Sequence, residues 1–160
     1  MDTRLTHSQF FTIYRKLALR SRTWADIWYM LHLTGMMAIR IIHLRHDDIR
    51  DGCIHFPVRG KFSACTVPLT PSLHSLIVRR RLHFPQDIWV FQSHSARVKG
   101  RPSPVTFIAF SQAIRQAARG VVSHSAGTRD ALDLRPDDLV YTESKPPEPV
   151  NTSFFSSNAN

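Results

Sequence analysis

Cysteine is scarce in this sequence, and long apolar runs are absent. Only two cysteines occur in 160 residues, which excludes a disulfide scaffold and makes a reducing cytoplasm the expected compartment. No stretch approaches the roughly 18 consecutive apolar residues that a membrane span needs, and the first residues do not have the pattern of a secretory signal. We therefore expect a cytoplasmic protein without a membrane partner.

Acidic residues are few relative to basic ones. The chain has 21 Lys and Arg against 12 Asp and Glu, a formal charge of +9. Residues 136–160 hold one basic and four acidic residues, so residues 1–135 hold 20 basic and eight acidic ones and carry +12. Seventeen of the basic residues are arginines, whose guanidinium groups donate paired hydrogen bonds to phosphate oxygens. This composition predicts a polyanionic partner, and nucleic acid fits it better than a membrane surface.

The hydrophobic periodicity predicts a mainly helical α+β domain. Thr6 and Gln9 have the spacing of a capping box, and the apolar residues that follow repeat as on one face of a helix ending near residue 20. A second helix, apolar on nearly all sides, starts at Thr23 or Trp24 and is interrupted at Gly35. The other expected elements are a short helix over 37–44, strands over 53–58, 64–67 and 88–91, and helices over 71–81 and 104–119.

The end of the chain differs in composition from the rest. The periodic pattern fades after residue 120, and residues 136–160 are rich in Pro, Ser and acidic residues. Such composition is typical of a disordered tail. We therefore expect one folded domain over 1–135 and a disordered tail over 136–160.

Histidine and cysteine residues cluster in the middle of the sequence without forming a metal-binding motif. His43, His46, Cys53 and His55 do not have the spacing of a zinc finger or ribbon, so we expect no metal. Cys53 and Cys65 fall on the two arms of the predicted hairpin, where we expect packed free thiols, with a near-neighbour pair as the alternative.

Five segments, taken in order, carry a family resemblance. They are LTHSQFFTIYRKL at 5–17, TGMMAIRIIHLRHDDI at 34–49, RGKFSACTVPLT at 59–70, DIWVFQS at 87–93 and TFIAFSQAIRQAA at 106–118. Together they resemble the catalytic domain of tyrosine recombinases, the phage-integrase family. The resemblance covers roughly 5–135 and is to the single-domain type that lacks a separate core-binding domain. It implies an α+β, mainly helical core with a small antiparallel sheet, double-stranded DNA as the partner, and no cofactor.

The resemblance also implies where a recombinase would place its catalytic groups. In that family two arginines, a lysine and one or two His or Trp groups surround one phosphate, which a tyrosine hydroxyl attacks. The first arginine falls at Met37, whose thioether cannot donate a hydrogen bond to phosphate, and the usual glutamate three residues later is Arg40. The lysine falls at Lys61, in the hairpin turn that holds the family's general acid.

The second arginine motif, His-x-x-Arg followed by His, is incomplete in both possible alignments. Aligning LDLRP keeps Arg135 but places Leu132 and Pro136 at the two histidine positions. Aligning HSAGT keeps His124 but places Gly127 at the arginine position. The resemblance therefore predicts a degenerate active site with Lys61 and Arg135 as remnants of its catalytic set.

The nucleophilic tyrosine has no clear equivalent either. In the family it lies some thirty residues after the second motif, whereas Tyr141 lies six residues after Arg135. We therefore expect that Tyr141 is not a nucleophile and that the protein is catalytically inactive.

These observations lead to one functional hypothesis and two alternatives. The hypothesis is a non-catalytic DNA-binding protein of a mobile element, such as a phage or plasmid, acting in the bacterial cytosol or nucleoid in DNA integration and recombination. The alternatives are a modulator that docks on an active recombinase, with self-association also open, and an atypical strand-transfer enzyme. The residues expected to contact phosphates are Arg40, Arg59, Lys61, Arg97, Lys99 and Arg135. The run 79–81 is interpreted as a solvated helix end, or alternatively as further phosphate contacts.

Overall fold

Helices make up most of the computed structural model, which describes residues 4–95 and 100–133. The helices are α1 (His7–Arg20), α2 (Arg22–Thr34), α3 (Ala38–Ile42), α4 (Pro71–His83), α5 (Phe107–Ala118) and α6 (Thr128–Asp133), with a 3-10 turn at His46–Asp48. The strands β1 (Ile49–Arg50), β2 (Cys53–Phe56) and β3 (Cys65–Pro68) form one antiparallel sheet in the order β1-β2-β3. The predicted α+β, mainly helical architecture is confirmed.

The helix starts are fixed by the capping residues that the sequence shows. Thr6 caps α1: its hydroxyl accepts from the Gln9 backbone N–H at 3.1 Å, and the Gln9 side chain accepts from the Thr6 N–H at 2.9 Å. Thr70 caps α4 by accepting from the Leu73 N–H, with Pro71 in the first turn. Both devices satisfy backbone donors that a helix leaves unpaired, so these two boundaries are confirmed.

Helix α2 is the centre of the core. Ten of its 13 residues are buried, and α1, α3, α4 and α6 all pack against it. It starts one residue before the predicted range, because Ser21 caps it through the Thr23 N–H. It ends at Gly35, whose φ of 68° is the left-handed conformation that favours glycine.

A buried polar network joins α2 to α4. Asp26 is fully buried, and its carboxylate accepts hydrogen bonds from Arg79 and, at 3.2 Å, from Arg80. Arg80 is 2% exposed and also donates to the Val90 carbonyl oxygen at 2.6 Å and the Thr23 hydroxyl at 3.1 Å. Burial raises the pKa of Asp26 and lowers that of Arg80, while their mutual attraction opposes both shifts. The interpretation of this arginine run as solvated is therefore wrong for Arg80.

The sheet register separates the two cysteines. Cys53 lies opposite Pro68 and Cys65 lies opposite Phe56, so the thiols belong to opposite ends of the β2–β3 ladder. Both are free. Three residues along a strand span about 10 Å, so the expected free thiols are found and the alternative of a near-neighbour pair is wrong.

Two further elements differ from the sequence prediction. The strand expected over 88–91 is wrong, since Trp89 contributes only an isolated bridge to Arg45. Helix α6 was not predicted, yet it packs on α2 and buries Ala131 completely. The tail over 136–160 lies outside the described residues. Within the described residues, no helix is long and apolar enough to cross a membrane.

Candidate nucleic-acid interface

Met37 lies on the surface at the start of α3. It is the N-cap residue of that helix, 43% exposed, and its backbone is extended. The turn before it is fixed because Thr34 accepts a hydrogen bond from the Met36 N–H at 3.1 Å. The position that the resemblance assigns to a catalytic arginine therefore presents a thioether, which offers no hydrogen-bond donor to a phosphate.

Arg40, three residues further on, points into the protein. It is 8% exposed, and its Nη2 donates to the carbonyl oxygens of Pro57 at 3.2 Å and Ser63 at 2.8 Å. The guanidinium also lies 5.6 Å from the ring centroid of Phe56 and 5.5 Å from that of Phe62. These contacts tie α3 to both arms of the β2–β3 hairpin. Arg40, expected as a phosphate contact, is thus a buried structural cation rather than an exposed one.

The hairpin turn presents two basic side chains to solvent. Arg59 and Phe62 pair through two backbone hydrogen bonds of 3.0 and 2.9 Å, and Gly60 takes a φ of 56° inside that turn. Both Arg59 and Lys61 are exposed. Among the described residues Lys61 has no hydrogen-bond or ion-pair partner, so its ammonium group is available to an external anion.

In the HSAGT alignment, the second arginine motif keeps its histidine, His124, but not its arginine. His124 lies just before α6, and its Nε2 is 3.0 Å from Asp130 Oδ1. The other carboxylate oxygen of Asp130 accepts the Gly127 N–H at 2.8 Å. At the arginine position of this alignment there is thus a glycine whose backbone caps α6. Arg135, the remnant in the other alignment, lies outside the described residues, as do Arg97, Lys99 and Tyr141.

A pocket of about 250 Å³ opens beside the hairpin, and we call it the basic pocket. Its lining residues are Arg40, His43, Arg45, Asp48, Phe56, Pro57, Val58, Arg59 and Trp89. Among the candidate residues from the sequence, Arg40 and Arg59 are brought together here, whereas Lys61 is not part of the lining.

Two hydrogen bonds hold the His43 ring in this pocket. Its Nδ1 lies 2.8 Å from the Ile39 carbonyl oxygen and therefore carries the proton, because a carbonyl can only accept. Its Nε2 is then the acceptor for Arg59 Nη2 at 3.3 Å. Opposite, the Arg45 guanidinium lies 4.5 Å from the Trp89 ring centroid. Arg45, His43 and Trp89 were not singled out as an anion site from the sequence, since loop and turn residues this far apart show no common pattern.

No protein-family model matches this sequence, and no curated protein does. Among the described residues no cluster of three or more His, Cys, Asp or Glu side chains is placed to hold a metal ion.

Solved structures do match, and they define the class of fold. The lambda integrase catalytic core is similar with a TM-score of 0.68 and 14% sequence identity, covering 83% of this chain and 80% of that one. The described chain thus has the fold of a tyrosine-recombinase catalytic core, and the fold implied by the sequence resemblance is confirmed.

Longer recombinases match over part of their length. A dimer of lambda integrase residues 75–356, bound to a COC' core site, gives a TM-score of 0.67 at 15% identity. XerA recombinase gives 0.63 at 12% identity. Each alignment covers 82% of this chain, which spans 50% of the first relative and 47% of the second.

Proposed function

We propose that this protein binds double-stranded DNA through its basic surface and does not cleave it. The observation that supports this proposal most directly is the placement of Met37 and Arg40. The exposed position at the start of α3 holds an uncharged thioether, and the nearest arginine in the helix is bound to two hairpin carbonyls. A cleavage site for a phosphodiester needs charge clamps directed at the nonbridging oxygens, and at this point the chain offers none.

The position of the family's second catalytic arginine supports the same conclusion. Gly127 stands at the arginine position of the HSAGT alignment, and the neighbouring carboxylate of Asp130 is already paired with His124. Groups that act together in catalysis are strongly non-additive. The LDLRP alignment keeps Arg135 but lacks both histidines of the motif. In either alignment the catalytic set is incomplete, and we expect its loss to abolish strand cleavage rather than to slow it moderately.

DNA binding is supported by charge and by what the fold relatives bind. Residues 1–135 carry +12, and Arg59 and Lys61 extend from the hairpin into solvent. The lambda integrase relatives of the same fold were solved on DNA, one of them on a COC' core site. Contacts from Arg59, Lys61, Arg97, Lys99 and Arg135 would supply affinity for the backbone rather than sequence readout. We also propose that the protein acts in DNA recombination or integration on a mobile element.

The test is duplex binding by fluorescence anisotropy at several salt concentrations. Each phosphate contact contributes about −0.9 to the slope of log K against log[salt], so the double change Arg59→Ala with Lys61→Ala should make the slope shallower by about two. Arg115→Ala, at an exposed position on α5, is the matched control and should leave the slope almost unchanged. Absence of duplex binding near physiological salt would overturn the proposal and favour the alternative of a protein-interaction modulator.

A further inference from the structure

The basic pocket is separate from the positions that the resemblance assigns to catalysis. In the described part of the chain, neither Met37 nor Lys61 lines it, and neither does His124. It is formed instead by the end of α3, the start of the β2–β3 hairpin and the segment around Trp89. Its chemistry therefore needs its own explanation.

The charges around this pocket do not cancel. Three arginines line it against one carboxylate, that of Asp48. Asp48 is partly engaged, since its Oδ2 accepts the Arg45 backbone N–H at 2.9 Å. The lining thus carries a formal net charge of +2, which favours an anionic ligand.

One of the three arginines is buried and not fully paired. Among the described residues, nothing accepts a hydrogen bond from Arg40 Nε, although this atom is shielded from solvent. Unpaired buried donors are rare because each one costs the desolvation of its N–H group. An oxyanion in the pocket that Arg40 lines would supply negative charge beside this donor.

Part of the pocket wall is apolar. Phe56, Pro57, Val58 and Trp89 contribute this surface. The contact of Arg45 with Trp89 is a cation–π contact, and a guanidinium in such a contact still has N–H groups that can donate to an acceptor. The volume of about 250 Å³ is smaller than the roughly 300–1,000 Å³ of pockets that enclose drug-sized ligands.

We propose that the basic pocket binds a phosphoryl group, held by Arg45 and Arg59 above the buried Arg40. The ligand is either a phosphate monoester or a phosphate of a DNA backbone, since both present negatively charged nonbridging phosphoryl oxygens. The site is distinct from the hairpin tip at Lys61, and the proposal holds whether or not the protein binds DNA.

The test is a titration of the full chain with inorganic phosphate at constant ionic strength, with chloride as the exchanged anion. Binding is followed through the ¹H–¹⁵N signals of the arginine Nε groups. We expect saturable shifts, and a dissociation constant raised about tenfold by Arg45→Met and by Arg59→Met, as for the loss of a charged hydrogen bond. Arg115→Met is the control and should bind phosphate like the wild type.

A variant that should bind phosphate more tightly distinguishes a specific effect on the pocket from a loss of folding. Asp48→Asn keeps an oxygen that can accept the Arg45 N–H but removes the single negative charge of the lining, so it should lower the dissociation constant for phosphate. Unsaturable shifts in the wild type, wild-type affinity in both arginine variants, or an unchanged or weakened affinity in Asp48→Asn would overturn the proposal.

Duplex binding separates the two possible sources of the phosphoryl group. If the pocket holds a backbone phosphate, Arg45→Met weakens duplex binding, and phosphate competes with DNA at fixed ionic strength. If it holds a monoester, Arg45→Met binds the duplex normally while its phosphate affinity is reduced. Phosphate binding without any duplex binding would leave this site in place and reject only the proposed DNA-binding function.

Discussion

The guanidinium of Arg40 and the carbonyl oxygen of Ser63 are joined by a 2.8 Å hydrogen bond that anchors the β2–β3 hairpin to α3. A second bond to Pro57 engages the other arm of the hairpin. One buried side chain therefore controls where the exposed basic turn sits relative to the core, and its removal should affect both stability and binding.

Replacing Arg40 by Met should destabilise the protein by about 1.5–3 kcal/mol for each charged hydrogen bond lost, less the gain from burying an apolar chain. The measurement is urea unfolding monitored by circular dichroism. Hydrogen exchange in the hairpin should accelerate in the same variant, because the two carbonyl anchors are gone. Unchanged exchange at Phe62 and Cys65 would show that the hairpin does not depend on this anchor.

Replacing Asp26 by Asn should be among the most damaging single changes in the chain. It leaves the buried Arg80 without its counter-charge, and breaking a buried ion pair from one side costs about 3–5 kcal/mol. The unfolding free energy should fall accordingly in chemical denaturation. Asp47→Asn, at an exposed position, is the matched control, and a similar small loss in both variants would contradict the structural role of Asp26.

His46 should make stability depend on pH. Its partial burial, followed by repulsion from Arg81, lowers its pKa below the ordinary value of 6.5. The folded state then binds fewer protons than the unfolded state, so the unfolding free energy falls as pH decreases through 6.5 and levels off below the folded pKa. His46→Gln should flatten this part of the stability curve, whereas His83→Gln is the control; identical curves for His46→Gln and the wild type would contradict the prediction.

Replacing Met37 by Arg should not create a cleaving enzyme. It restores one clamp, but the second motif is incomplete in both alignments and no tyrosine lies at the spacing expected for the nucleophile. Groups that act together in catalysis are strongly non-additive. We expect no covalent adduct with a nicked suicide duplex on a denaturing gel, and a modest gain in duplex affinity from one added phosphate contact. A covalent band in the wild type that disappears in Tyr141→Phe would reverse the non-catalytic assignment.

Limited proteolysis should leave a fragment that extends at least to Asp133. The sequence alone places the end of the core anywhere between 120 and 136, but Ala131 of α6 is fully buried and α6 packs on α2. Mass spectrometry of the stable fragment checks this. Early cleavage between Gly120 and Thr128 with loss of α6, and an unchanged melting temperature of the remainder, would contradict it.

Local signals in the sequence predicted much of the fold. Capping at Thr6 and Thr70 and the left-handed Gly35 depend on residues close together in the chain, so the boundaries of α1, α2 and α4 followed from them. The short α6 and the two-residue β1 carry too few residues to show a period.

Long-range pairing explains what the sequence did not show. Arg80 lies in a run that is typical of a solvated helix end, and its partner Asp26 is 54 residues earlier. The inward direction of Arg40 depends in the same way on carbonyls 17 and 23 residues away. Candidate site residues could therefore be found as charges, but the sequence could not show which of them are buried.

The packing of α6 on α2 has a consequence for how the chain folds during synthesis. Helix α2 emerges from the ribosome about a hundred residues before α6, and its apolar surface on that side has no cover until residue 133 has been made. Contacts of such wide sequence separation form late and slowly. The nascent protein should therefore expose the middle of its future core throughout most of translation, a period in which chaperones that hold apolar segments would have their greatest effect on its yield.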